Sequence, residues 1–285
     1  MKKYYFSTMI GLAVFSLTAC GDSATPINET TEKSDLALEQ VFNNAMERQE
    51  SLQSVKADMS MEQDIAMTSE GEEVQMTSST NIEMSMTTKP MALFVDGTMN
   101  MTMVDEEESL NMPLKMYLTE ADGFYMSDMN GDWIKLPKEM YEDTLLQVGA
   151  NTDAKEQLQQ LEPFLEDFKF EQTDTDYILT LTANGEKFNE MILEQVSGTL
   201  GQQFSEGDEI SFEGINIKDA NYIITVDKET FNITKIVMDF VMSMDVDGVL
   251  ADVNTSSTMT YSNFNAVDTI TIPQDVLNTA IDSGF

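Results

Sequence analysis

The chain contains no histidine and a single cysteine among its 285 residues, and its 15 Lys and Arg are outnumbered by 51 Asp and Glu. Without imidazole there is no Ser-His-Asp triad, no histidine metal site and no proton relay titrating near neutrality. One thiol cannot close an internal disulfide. A net charge of −36 opposes any protein that tracks a phosphate backbone, so nucleic acid is excluded as a partner. A nucleophile elbow, a phosphate-binding glycine loop and a metal-ligand cluster are also missing. The chain is therefore not expected to be an enzyme, and neither a catalytic residue nor a cofactor is assigned. The 41% hydrophobic fraction still permits a folded core, which argues against global disorder.

The N-terminus explains the lone thiol. Met1, Lys2 and Lys3 precede an apolar run from Tyr4 to Phe15 and then Ser16-Leu17-Thr18-Ala19-Cys20. This is the layout of a secretory signal peptide over residues 1–19, its apolar run being too short for a membrane span. Leu17-Thr18-Ala19-Cys20 resembles the lipobox of bacterial lipoproteins. That resemblance implies cleavage before Cys20 and acylation of its thiol, and hence export and lipid anchoring to the outer face of the bacterial cytoplasmic membrane. The alternative is a soluble secreted protein in which Cys20 is incidental. Removing residues 1–19 deletes two lysines and no acids, so the surface cannot hold anionic membranes by charge. Acyl chains on Cys20 must do so.

Residues 20–35 read as the lipidated cysteine and a flexible polar tether, and residues 36–285 as a single domain. Leu36, Leu38, Val41, Phe42, Ala45, Met46 and Leu52 recur at helical spacing, with Ser34 or Asp35 available as N-cap. The period then falls to two. Three long strands are expected, broken at Glu70-Gly71-Glu72, at Lys89-Pro90 and at the acidic run 105–108. Shorter strands follow over 114–119, 123–127 and 132–136, joined by Asp122-Gly123 and Asn130-Gly131 turns. Helical patterns cover 140–148, 154–168 and 188–200, with Pro163 marking a break. Further strands are expected at 177–181, 222–226, 233–246, 250–261 and 270–272, with a last helix over 274–281.

The first helix, the long strands, Asp122-Gly123-Phe124-Tyr125-Met126, Asn130-Gly131-Asp132-Trp133-Ile134-Lys135-Leu136, and the closing Tyr261-Ser262-Asn263-Phe264-Asn265 with Ile270-Thr271-Ile272-Pro273 resemble a group of uncharacterised Gram-positive lipoproteins. That group is similar in architecture to the LolA and LppX superfamily. The resemblance implies an α+β fold, a large curved antiparallel sheet forming an incomplete β-barrel packed on helices. It also implies a concave face able to hold acyl chains or another amphiphile.

Methionine is the compositional anomaly, with 23 residues, 14 of them between Met59 and Met129. Met59 and Met61, Met84 and Met86, Met99, Met101 and Met103, and Met242 and Met244 each place their thioethers on one face of a strand. Flexible and polarisable, such side chains suit a groove for an irregular apolar ligand. Alternatively they fill the protein's own core, leaving an interaction or structural lipoprotein that carries nothing. Thioethers also favour Cu(I), but no histidine or second cysteine accompanies them. Asp128-Met129-Asn130-Gly131-Asp132 superficially resembles a calcium loop while lacking its bidentate glutamate.

Overall fold

A computed structural model describes residues 23–69, 71–104, 109–137, 154–183, 216–246 and 249–283. Its dominant feature is one sheet of thirteen strands. In chain order these are β1 (Thr25–Pro26), β2 (Ser54–Ser69), β3 (Glu72–Thr88), β4 (Met91–Met103), β5 (Ser109–Thr119), β6 (Gly123–Ser127), β7 (Trp133–Lys135), β8 (Lys169–Gln172), β9 (Asp176–Ala183), β10 (Asn216–Asp227), β11 (Ile233–Val246), β12 (Val249–Ser262) and β13 (Ile281–Asp282). The spatial order is β1-β8-β9-β10-β11-β12-β2-β3-β4-β5-β6-β7-β13. Pairing is antiparallel except at the two ends, where β1 joins β8 and β13 joins β7 in parallel. The edge strands β1 and β13 do not pair, so the sheet is open.

The alternation of apolar and polar residues sets the register. A one-residue slip would turn every methionine of a strand to the polar side. Between β2 and β3 the pairs Met59 with Ile82 and Ala57 with Met84 alternate with Asp58 opposite Glu83 and Ser60 opposite Asn81. At 17 residues β3 is about 55 Å long, far beyond an average strand.

Among the described residues helices are few: α1 (Leu38–Glu50), α2 (Ala154–Leu161) and α3 (Gln274–Thr279), with a 3-10 segment, Glu162–Asp167, carrying Pro163 in its first turn. This corrects the α+β expectation. The molecule is predominantly β, an open mixed sheet whose described helices lie near its two ends. The helical patterns at 140–148 and 188–200 lie outside the described residues. Other boundaries shift as well. Ala37, not Ser34 or Asp35, caps α1, its N–H donating to Gln40 Oε1 at 3.0 Å. Residues 270–272 form no strand; instead Ile272 is buried against Tyr125 and Val276.

Three apolar clusters hold the sheet. At the β8 to β11 end, Val41, Phe42 and Ala45 of α1 pack with Leu158 and Leu161 of α2 onto Leu179, Ile224, Val226 and Ile233. Full burial of such aliphatic and aromatic side chains contributes about 1.5–3 kcal/mol each. Toward the other end, on the same face, Leu93, Val95, Leu118 and Phe124 form a second cluster. The third lies on the opposite face, where Tyr125 meets Ile272 and Val276 of the α3 region and Tyr117 stands 5.5 Å from Trp133 between ring centroids.

Residues 23–35, expected to be a free tether, are docked on the body. Ser23 bridges Ala37, Ala24 is buried, and β1 extends the β8 edge. Asp174 Oδ1 accepts the N–H groups of Thr31 at 2.6 Å and Glu32 at 2.9 Å, which lowers its pKa.

Candidate functional site

Directly paired residues in an antiparallel ladder share a face, so the register identifies every residue on each side of the sheet. One side carries Met59, Met61 and Met67 from β2, Met76, Met84 and Met86 from β3, and Met91, Met99, Met101 and Met103 from β4. Met112 and Met116 from β5, Met126 from β6, Met238, Met242 and Met244 from β11, and Met259 from β12 join them. Seventeen of the 23 methionines thus occupy a single face. All nine methionines singled out from the sequence are on it.

The face carries no charge along its central strands. From Val55 to Met67, Val74 to Met86, Met91 to Met103, Leu110 to Leu118, Ile236 to Met244 and Ala251 to Tyr261, every residue of this register is uncharged. The reverse side holds Asp58, Glu62, Asp64, Glu83, Asp96 and Asp239. There Lys115 Nζ lies 3.5 Å from Asp96 Oδ1, and Ser256 Oγ donates to Asp239 Oδ1 at 2.6 Å.

No methionine is buried among the described residues. Met84 and Met86 pack against the Leu93, Val95, Leu118 and Phe124 cluster, and Met242 against the helix-covered cluster. Met59, Met61, Met99, Met101, Met103 and Met244 lie between and beyond these and belong to neither cluster. Exposure rises toward the hairpin end, where Val74, Met103, Leu110 and Val249 stand on the same face with 43%, 45%, 52% and 37% of their surface accessible.

A short polar band interrupts the thioethers midway. Gln63 faces Ser78 on β3 and Thr255 on β12, and its Nε2 donates to Thr255 Oγ1 at 3.2 Å. Thr80, one step along, faces Met61 and Met99. It is 1% exposed and its hydroxyl has no hydrogen-bond partner among the described residues. The band was missed from sequence although it leaves a trace: Gln63 ends the Met59, Met61 series, and Ser78 and Thr80 separate Met76 from Met84. Two phenols share this face at its β10 and β12 margins, and burial pushes Tyr222 and Tyr261 up to about 12.

The Asp128 loop is a self-satisfied turn. Its Oδ1 accepts the N–H groups of Asn130 at 2.9 Å and Asp132 at 2.8 Å, bonds that depress its pKa, and Gly131 sits at a φ of 87°. No group of three potential metal ligands of the His, Cys, Asp or Glu type occurs among the described residues. No described helix is long and apolar enough to cross a membrane. Cys20 and the acidic run 105–108 lie outside the described residues.

Residues 37–281 match DUF6612, a family of unknown function. No curated protein matches the chain. Among solved structures, one of lipovitellin that concerns its lipid-protein interactions aligns at 9% identity and a TM-score of 0.31, over 78% of this chain and 26% of its own. The chain thus spans about a quarter of that protein. A DUF1329 family protein from Desulfovibrio piger aligns at 8% identity and a TM-score of 0.20, over 81% of this chain and 95% of its own. A β-barrel-like DUF1849 protein from Brucella abortus aligns at 7% identity and a TM-score of 0.17, over 74% of this chain and all of its own.

Proposed function

We propose that this chain, which belongs to the DUF6612 family of unknown function, is a non-enzymatic lipoprotein that binds or carries a hydrophobic ligand on its methionine-lined face outside the cell. The observation that carries the reading is the segregation of seventeen methionines onto one uncharged face on which none is buried. Isolated exposed apolar residues are ordinary, but a largely apolar, uncharged surface across six long strands marks an interaction site. Unbranched thioether side chains adapt to an occupant of irregular shape without a fixed rotamer. The resemblance to the LolA and LppX superfamily belongs to this proposal only as a likeness of ligand class.

Anchoring follows from the lipobox at Cys20. With residues 23–35 docked on the body, the link from Cys20 to Ser23 spans three residues, a reach of about 10 Å. Acylation of Cys20 then holds the sheet against the bilayer surface, close enough to exchange an amphiphile with it.

The competing function is an interaction or structural lipoprotein whose own side chains fill the face. The packing of Met84, Met86 and Met242 against buried clusters favours it locally. Native mass spectrometry of the chain from residue 20 onward, carrying Cys20→Ser, separates the two. The carrier reading expects a co-purifying lipid released by organic extraction. A ligand-free protein that also fails to take up a fluorescent fatty acid refutes it.

A further inference from the structure

We propose that the occupant of the methionine face is a neutral amphiphile, an acyl ester or similar lipid, whose uncharged polar group hydrogen-bonds to Thr80 at the band crossing the middle of the face. The inference rests on the binding reading above and adds the ligand's chemical class.

Thr80 is 1% exposed, and its hydroxyl has no hydrogen-bond partner among the described residues. The residues directly opposite on both neighbouring strands, Met61 and Met99, offer only thioethers. Buried hydroxyls are nearly always hydrogen-bonded, and valine would fit a strand at this position without the desolvation cost. The unpaired hydroxyl is therefore a group waiting for a partner. Ser78, Gln63 and Thr255 continue the band across β3, β2 and β12, all but Gln63 buried, so the polar site is narrow and has apolar surface on both sides along the strands.

The missing charges set the class. A carboxylate or phosphate drawn into this face would meet no cation, because every residue of the register along these strands is uncharged. An unpaired ion there is strongly disfavoured. An ester or amide carbonyl, or a hydroxyl, satisfies Thr80 without that penalty. Apolar surface on either side of the band accommodates hydrocarbon on both sides of the polar link, which is the layout of a glyceride.

The test is displacement of Nile red from the chain carrying Cys20→Ser by three probes: 1-monooleoylglycerol, oleate at pH 8.5 and hexadecane. Monooleoylglycerol should displace the dye at concentrations roughly tenfold below the other two, the scale of one satisfied hydrogen bond. Thr80→Val should remove that advantage and Thr80→Ser should keep it. Thr80→Val should also melt no lower than the parent, since it deletes an unpaired hydroxyl, so a lost preference will not reflect misfolding. Equal displacement by all three probes, or a preference untouched by Thr80→Val, overturns the band's role while leaving the binding face intact. Failure of every probe to displace the dye, or of the dye to bind, overturns both.

Discussion

Replacing Gln172 by Met should release the N-terminal segment from the sheet while leaving the long strands in place. Gln172 is 1% exposed and joins two parts of the chain. Its Nε2 donates to the carbonyl of Ala24 at 2.6 Å and of Ser34 at 3.2 Å. Its Oε1 accepts from Ser34 N–H at 2.8 Å and from Lys228 Nζ at 2.9 Å. Lys228 in turn donates to the carbonyls of Glu32 at 2.6 Å and Thr173 at 2.5 Å, and stands 5.5 Å from the Tyr177 ring centroid. Methionine has nearly the same volume, so no cavity term enters. The change leaves the Ser34 N–H and the Ala24 carbonyl without these partners, at about 1–3 kcal/mol for each buried group. A cost near 3 kcal/mol corresponds to roughly a hundredfold faster local opening. Amide hydrogen exchange reads this directly. Ser34 and Ile27, whose N–H donates to the Gln172 carbonyl at 2.9 Å, should lose about two orders of magnitude of protection, whereas Met59 and Thr80 in the central strands should not change. Unaltered exchange at Ser34 would show that the clamp does not hold the segment.

Three further outcomes follow from the same structure. Gly97→Ala should destabilise by about 1–3 kcal/mol in urea unfolding, because a Cβ there would meet the backbone of Asn81 and lie 2.9 Å from Ile82 Cα; an unchanged midpoint would contradict that close approach. Met101→Asp should cost about 1–3 kcal/mol by placing a charge on the apolar face, whereas Asn100→Asp on the reverse face should stay within about 0.5 kcal/mol; equal effects would contradict the assigned register. Tyr222 and Tyr261, raised to about 12, bind protons in the folded state that the unfolded chain has already released, so stability should be flat below about pH 10 and fall between about pH 10 and 12. Ultraviolet titration showing all tyrosines ionising together near pH 10 in the folded protein would contradict their burial.

The strands were legible because their alternation is local. Met59 to Met67, Val74 to Met86 and Met91 to Met103 announce both the period of two and the shared face, and β11 runs over 233–246 as expected. β8 was not, since Lys169 to Gln172 is four residues long and carries no alternation. The docking of residues 23–35 was also invisible. Their polar composition matches a free linker, and the groups that bind them, Gln172, Asp174 and Lys228, lie more than 130 positions away in sequence. The α+β expectation overweighted short amphipathic patterns. Pro163 turns the 154–168 pattern into α2 and a 3-10 segment, and β-pairing takes most of the other described residues. At the candidate site the methionines were readable from spacing, but the partnerless state of Thr80 depends on which residues oppose it across β2 and β4.

Peroxide footprinting tests the proposed binding face most directly. Met129 lies in the turn between β6 and β7 with 69% of its surface accessible, off the face, and serves as an internal control. In the presence of 1-monooleoylglycerol, oxidation of Met59, Met61, Met99 and Met101 to sulfoxide should slow severalfold while Met129 oxidises at its original rate. Equal rates at all five positions with and without the lipid would contradict binding on this face.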